Sequence, residues 1–265
     1  MPCKPKTIAI ITDFGLKDWY TGVMKGVISS IHPHAHIVDI THEVSPGDIN
    51  AAAFVLYNCL PYFPKQTIFL TIVDPGVGSK RLPIVVKTKE HYFIAPDNGV
   101  LSYVISGDES CQFRHIQSKS YLSQAPSTTF HGRDIFAPAA AHLSKGDNFS
   151  TLGPLVLKIT TFPTHSPEIT HNCIKGTIIY IDHFGNLITN IKETHLLQHQ
   201  PFRVSASNHK NIPFVKSYSE VDQGTALTLI GSGKFLEISV NGGNASTTLN
   251  LQIGDKINVN RNPTT

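Results

Sequence analysis

Short β-branched and apolar runs alternate with helix-length amphipathic stretches over the first half of the chain. TIAIIT (residues 7–12), HIVDI (36–40) and TIFLTIV (67–73) have the length and composition of strands. Between the first two, a stretch that Asp18 would cap carries Trp19, Val23, Val27 and Ile31 on one helical face. A second helix opens at SPGD, with Asp48 as N-cap, Ile49, Ala52, Ala53, Leu56 and Leu60 at helical spacing, and Pro61 as the stop. Strand, helix, strand, helix, strand with nearly continuous apolar strands predicts an α/β domain built on a mostly parallel sheet covered on both faces. PIVVKT and HYFIAP add two strands, and GRDIFAPAAAHLSKG (132–146) adds a helix that Pro138 bends or delays.

The texture then changes. TTFPTHSPEITHN (160–172) is rich in Pro, Thr and Ser and has no apolar period. It separates an N-terminal domain, 1–160, from a C-terminal domain, 173–265, with the linker at 161–172. Beyond it, GTIIYI, TALTLI, FLEISV and KINVN are punctuated by HFGN, DQG, GSG, NGGN and IGD, as in short antiparallel strands that build an all-β barrel or sandwich.

Composition narrows the classes. With 265 residues, 40% hydrophobic and 15% charged, the chain has ample material for a core and none of the bias of disordered chains. A net charge of +3 and the lack of any extended basic run argue against nucleic acid as a partner. Cys3, Cys59, Cys111 and Cys173 are far apart with no C-x-x-C pair, which fits free thiols in a reducing compartment. The first apolar run is closed by Asp13 after six residues, too short for a membrane span or a signal peptide. The expectation is a cytoplasmic enzyme or binding protein.

Ligands of parallel sheets sit beyond the carboxyl ends of the strands. Three such ends carry an acid with a glycine: Asp13-Phe14-Gly15, the stretch VDPGVGSKR from Val73 to Arg81, and Asp97-Asn98-Gly99. Carboxylates there would receive hydroxyls or a cation, although Asp and Gly also simply make turns. Phosphate signatures are missing: no G-x-G-x-x-G follows the first strand, and GSGK (231–234) is not a P-loop. His32, His34 and His36 imitate a metal-binding H-x-H, the basis of a metallohydrolase reading, but stand at the amino end of their strand. His131, in TTFHGRD at the entry to a helix, is either a capping or core histidine or a group facing a small ligand. DHFGNLITN (182–190) is either a hairpin turn or a set that stacks a base on Phe184 and reads its edge with Asn186. No G-x-S-x-G elbow or activated cysteine supports acyl chemistry.

In order along the chain, TDFG, THEVSPGD, VDPGVGSKR, APDNGVLS, FHGRD, DHFGNLITN and SGKFLEISVNGGNAS resemble the S-adenosylmethionine hydroxide adenosyltransferase family, hydrolytic relatives of the fluorinating and chlorinating enzymes. The resemblance implies an α/β/α N-terminal domain joined to a β-barrel C-terminal domain. It also implies attack of water or hydroxide on the 5′ carbon of S-adenosyl-L-methionine, giving adenosine and methionine without cofactor or metal. The family's catalytic Asp, Arg and His match Asp74, Arg81 and His131, with the general base unassigned between Asp74 and His131. By the same resemblance Asp13 receives the ribose hydroxyls, and Asp18 and Asp182 lie near the methionine ammonium. Phe184, Asn186 and Tyr218 contact adenine, and Ser232 binds the methionine carboxylate. The halogenating relatives carry Tyr at the position of Asp74 and Tyr-Ser in place of His131-Gly132, so this chain has the hydrolytic set. The resemblance further implies a homotrimer with the site between the N-terminal domain of one subunit and the C-terminal domain of the next. A non-enzyme alternative is an S-adenosylmethionine or adenosine sensor that binds without turnover.

Overall fold

The apolar runs of the first half become strands of one seven-stranded sheet in a computed structural model that describes residues 6–261, except 107, 109, 124, 165 and 197–201. The chain divides into two compact units, Met1–Thr164 and His165–Thr265.

In the first unit the strands are β1 (Thr7–Thr12), β2 (His36–Thr41), β3 (Ile68–Ile72), β4 (Pro83–Lys87), β5 (Tyr92–Pro96), β6 (Gln112–His115) and β7 (Leu155–Val156). They are ordered β2-β1-β3-β5-β4-β6-β7. Only the β2-β1-β3-β5 half is parallel; β4, β6 and β7 are antiparallel to their neighbours. The mostly parallel sheet expected from the sequence is thus a mixed one. The reason is local: residues 88–91 are too few for a crossover helix, so β4 and β5 can pair only as a hairpin.

Period-two alternation splits the core in two. Ile8 and Ile10 pack with Met24 and Ile28 of α1 (Tyr20–Ile31), whereas Ala9 and Ile11 pack with Ala52, Ala53 and Leu56 of α2 (Ile49–Cys59). A short α3 (Ser102–Ile105) touches α2, and α4 (Ala137–Lys145) lies against α1. Asp48 caps α2 as expected, its carboxylate accepting the Ala51 N–H at 2.9 Å. Asp18 does not cap α1: the N-cap is Trp19, without a side-chain hydrogen bond, and Asp18 is exposed. The helix expected over 132–146 begins as a π-helical turn, Gly132–Phe136, and becomes α4 only at Ala137, before Pro138 in its first turn.

The second unit is antiparallel. Its strands are β8 (Glu168–Ile169), β9 (Cys173–Ile181), β10 (Leu187–Lys192), β11 (Phe202–Ala206), β12 (His209–Ile212), β13 (Ala226–Ile230), β14 (Phe235–Val240) and β15 (Lys256–Arg261). The order is β12-β11-β15-β9-β10-β14-β13, with β8 on β9. The two edges nearly meet, because Thr228 of β13 donates its N–H to Pro213 and accepts that of Val215, just after β12. The result is a nearly closed, barrel-like sheet around Ile174, Leu187, Val204, Ile238 and Val259.

Cys59, Cys111 and Cys173 are free thiols, and Cys3 lies outside the described residues. Among the described residues no helix is long and apolar enough to cross a membrane.

Candidate active site

Because β1, β3 and β5 are parallel neighbours, the residues that follow them lie along one edge of the first sheet. Asp13 follows β1, and its Oδ2 accepts the Gly47 N–H at 2.8 Å, while Oδ1 has no hydrogen-bond partner among the described residues. Asp97 follows β5 and is occupied structurally, its carboxylate accepting the Thr160 N–H at 2.6 Å. Asn98 ties this edge together by donating its side-chain amide to the Val73 carbonyl at 2.8 Å, directly beside Asp74.

The stretch from Asp74 to Arg81 folds back on itself. Val77 donates to the Asp74 carbonyl at 3.2 Å and Ser79 to that of Gly76 at 3.0 Å. Gly78 has φ +79° and lies so close to residue 128 that a Cβ would stand 2.6 Å from the Thr128 carbonyl oxygen, so only glycine fits. The fold-back brings Arg81 onto Asp74. Arg81 Nε donates to Asp74 Oδ1 at 2.9 Å, and Nη2 donates both to Asp74 Oδ2 and to His131 Nδ1, the latter at 2.7 Å. The two charged side chains are only 8% and 6% exposed, and the guanidinium also lies over the Phe136 ring. Arg81 Nη1 is buried and makes no hydrogen bond among the described residues.

His131 stands immediately before the π-helical turn. Burial, and next the Arg81 charge, push its pKa below the usual histidine value, while Asp74 and Asp134 pull the other way. A guanidinium donates and never accepts, so His131 Nδ1 is an acceptor and the proton of the neutral ring sits on Nε2. An acid and a guanidinium from one loop and an imidazole from a distant stretch are therefore joined through the single Arg81 side chain.

In the second unit, Asp182 organises the turn between β9 and β10. Its Oδ1 accepts the N–H groups of Phe184 and Asn186, both at 2.9 Å, and its Oδ2 accepts the Asn186 side-chain amide at 2.9 Å. This Asx-type turn projects Phe184, 72% exposed, while Asn186 is buried. Tyr218 donates its hydroxyl to Glu237, and Ser239 donates to the same oxygen at 2.8 Å. Burial and then the Glu237 carboxylate push the Tyr218 pKa up to about 12, so the phenol stays neutral. Ser232 is exposed on the turn between β13 and β14, whose Gly231 packs so tightly on Glu237 that a Cβ would lie 2.4 Å from Oε2. Glu237 was missed in the sequence. Its signal was an acid inside FLEISV, a strand otherwise apolar or small and buried at every position.

His32, His34 and His36 do not converge. His32 bonds Ser144 at 2.9 Å, His36 bonds Thr7 at 3.2 Å at the opposite end of β1 from Asp13, and no group of three potential metal ligands exists among the described residues.

Residues 8–153 match the family model described as SAM hydroxide adenosyltransferase N-terminal domain, and residues 176–258 the corresponding C-terminal domain. The chain is 36% identical over 267 residues, 95% of each chain, to a Methanocaldococcus jannaschii protein named (R)-S-adenosyl-L-methionine hydrolase. It is 33% identical to a Thermus thermophilus protein of the same name, over 94% of this chain and 97% of that one. The crystal structure of an uncharacterized conserved protein from Thermotoga maritima superposes with a TM-score of 0.90 at 40% identity, covering 96% of this chain and 100% of that one.

Breaking one half of the Asp74–Arg81 pair leaves a buried charge uncompensated. Arg81→Met is expected to cost about 3–5 kcal/mol in urea unfolding, and the double change Asp74→Leu/Arg81→Met less than either single change. Additive losses would contradict a coupled buried pair.

Proposed function

The chain belongs to the SAM hydroxide adenosyltransferase family, and on that premise we propose that it hydrolyses S-adenosyl-L-methionine, in the (R) form specified by its relatives' names, to adenosine and L-methionine. The observation that carries the mechanism is the Arg81 fork, which joins the Asp74 carboxylate and the His131 ring.

In this mechanism the oxygen of a water molecule attacks C5′ of the adenosyl group as the C5′–S bond breaks. Methionine leaves as a neutral thioether, and the water proton passes to Asp74 and then to solvent. A sulfonium leaving group makes C5′ electrophilic already, so the reaction calls for no cofactor or metal. Asp74 is the preferred base, because each of its oxygens retains a second lone pair while the His131 Nδ1 lone pair is engaged by Arg81. His131 Nε2–H is a donor for the water oxygen and its developing negative charge. Holding the water in line with the C–S bond contributes about 7–11 kcal/mol, and proton acceptance about 10²–10⁴-fold.

Binding roles follow the same reading. Oδ1 of Asp13 receives the ribose hydroxyls. Phe184 and the neutral Tyr218 stack on adenine, and Asn186 keeps its carbonyl and one amide hydrogen for the base edge. Ser232 meets the methionine carboxylate. Asp18 attracts the ammonium, and Asp182, whose oxygens already serve its own turn, acts on it through charge alone. The complete site is assembled in a homotrimer, where the C-terminal unit of one copy closes the N-terminal site of another. The free thiols support a reducing, cytoplasmic setting.

Incubation of the pure protein with the (R) form of S-adenosyl-L-methionine is expected to yield adenosine and methionine by chromatography. Asp74→Asn should lower kcat about 10²–10⁴-fold with little change in KM. Unaltered ligand after hours would favour a sensor, and undiminished turnover in Asp74→Asn would remove this base. Co-assembling inactive Asp74→Asn and Asn186→Ala copies should restore part of the activity, because some sites then draw both intact halves from different copies. No recovery, with a monomeric mass in solution, would overturn the shared site.

A further inference from the structure

We propose that Asp134, paired with Arg133, is a positioning residue that straps Ser123 and residues 125–129 against the Asp74–Arg81 turn and so holds His131 in register for the proposed hydrolysis, on which this inference rests. Among the described residues neither side chain makes a hydrogen bond or ion pair with the Asp74–Arg81 fork.

Asp134 is buried, its side chain only 5% exposed, at the centre of the π-helical turn that begins just after His131. It binds the preceding segment at both ends. Its carboxylate Oδ2 accepts the Ser127 N–H at 2.8 Å, and its main-chain carbonyl accepts the Ser123 N–H at 3.0 Å. That carbonyl is available because Pro138, four residues on, has no N–H to offer it. The π-helical turn and the proline, unfavourable for a plain helix, thus leave an acceptor facing outward.

Arg133 completes the device. It donates Nε to Asp134 Oδ1 at 2.7 Å and Nη2 to Oδ2 at 2.9 Å, a bidentate pair. Its guanidinium also lies over the Phe130 ring at 5.3 Å, one residue before His131, and Phe130 meets Tyr20 and Phe14 edge-on. Inside the strap, the Ser127 hydroxyl accepts the Thr129 N–H at 3.1 Å. The neighbouring Thr128 carbonyl rests on Gly78, between Asp74 and Arg81. A shift of the strap therefore moves the turn that carries the base and the residue that carries the imidazole together.

Three charged groups act on His131, Arg81 and Asp74 from one loop and Asp134 from its own turn, and Arg133 pairs with Asp134. Asp134 raises the His131 pKa, and the Arg133 hydrogen bond keeps the Asp134 carboxyl below the usual range, hence ionised. Replacing Asp134 by Asn removes the negative charge and leaves the Arg133 charge uncompensated. Loss of that negative charge lowers the His131 pKa further.

The test uses Arg133→Ala, at a 41% exposed side chain whose loss should not unfold the chain, and Asp134→Asn, which keeps an acceptor for the Ser127 N–H. Both variants should lose about 10- to 100-fold in kcat with KM little changed. The His131 ring, followed by NMR without substrate, should titrate at lower pH in Asp134→Asn, and the Ser127 amide should exchange faster in Arg133→Ala. Arg133→Lys should recover part of kcat. A wild-type titration in Asp134→Asn together with wild-type exchange in Arg133→Ala would overturn the proposal, as would wild-type kcat in both. The NMR and exchange measurements need no turnover, so they decide the strap even if the wild-type protein proves not to be a hydrolase.

Discussion

The bidentate grip of Arg81 on Asp74 is the constraint on which the rest of the first unit's site depends. A buried carboxylate and a buried guanidinium are each costly alone, and each is stable here only because the other stands at hydrogen-bonding distance. The pairing is inseparable from the backbone around it. The turn between them closes through Gly78, and Val73, just past β3, is held by Asn98 from the loop that follows β5. The second nitrogen of the same guanidinium dictates the tautomer of His131. A single planar side chain thus fixes the position of one group and the protonation pattern of another, which lysine, a point charge on a flexible stem, would not do.

Much of this arrangement was legible as strand ends. An acid and glycine after each of three apolar runs places Asp13, Asp74 and Asp97 at one sheet edge as soon as β1, β3 and β5 are parallel neighbours. The α2 start was equally plain, since SPGD offers a side-chain oxygen to an unpaired N–H two residues into the helix. Both signals are local, and local signals survive folding.

What escaped was non-local or depended on what an element packs against. The mixed character of the sheet follows from a four-residue connection that apolar patterning cannot weigh. Asp18 looked like a cap because it precedes an apolar period, yet the helix begins two residues later and leaves it in solvent. Asp134 and Glu237 are buried acids whose partners are set by tertiary contact. Glu237 takes hydroxyls from Tyr218, nineteen residues away, and from Ser239, and Asp134 takes the main-chain N–H of Ser127, seven residues before it. A pattern of apolar and polar positions marks such acids as anomalies without naming what they hold.

If the Arg81-held carboxylate delivers a solvent molecule to C5′ of the adenosyl group, the new oxygen of adenosine comes from water. A single turnover in water enriched in oxygen-18, read by mass spectrometry, should then place one heavy oxygen in the 5′-hydroxymethyl group of adenosine and none in methionine. Heavy oxygen in methionine, or adenosine formed without it, would rule out this route.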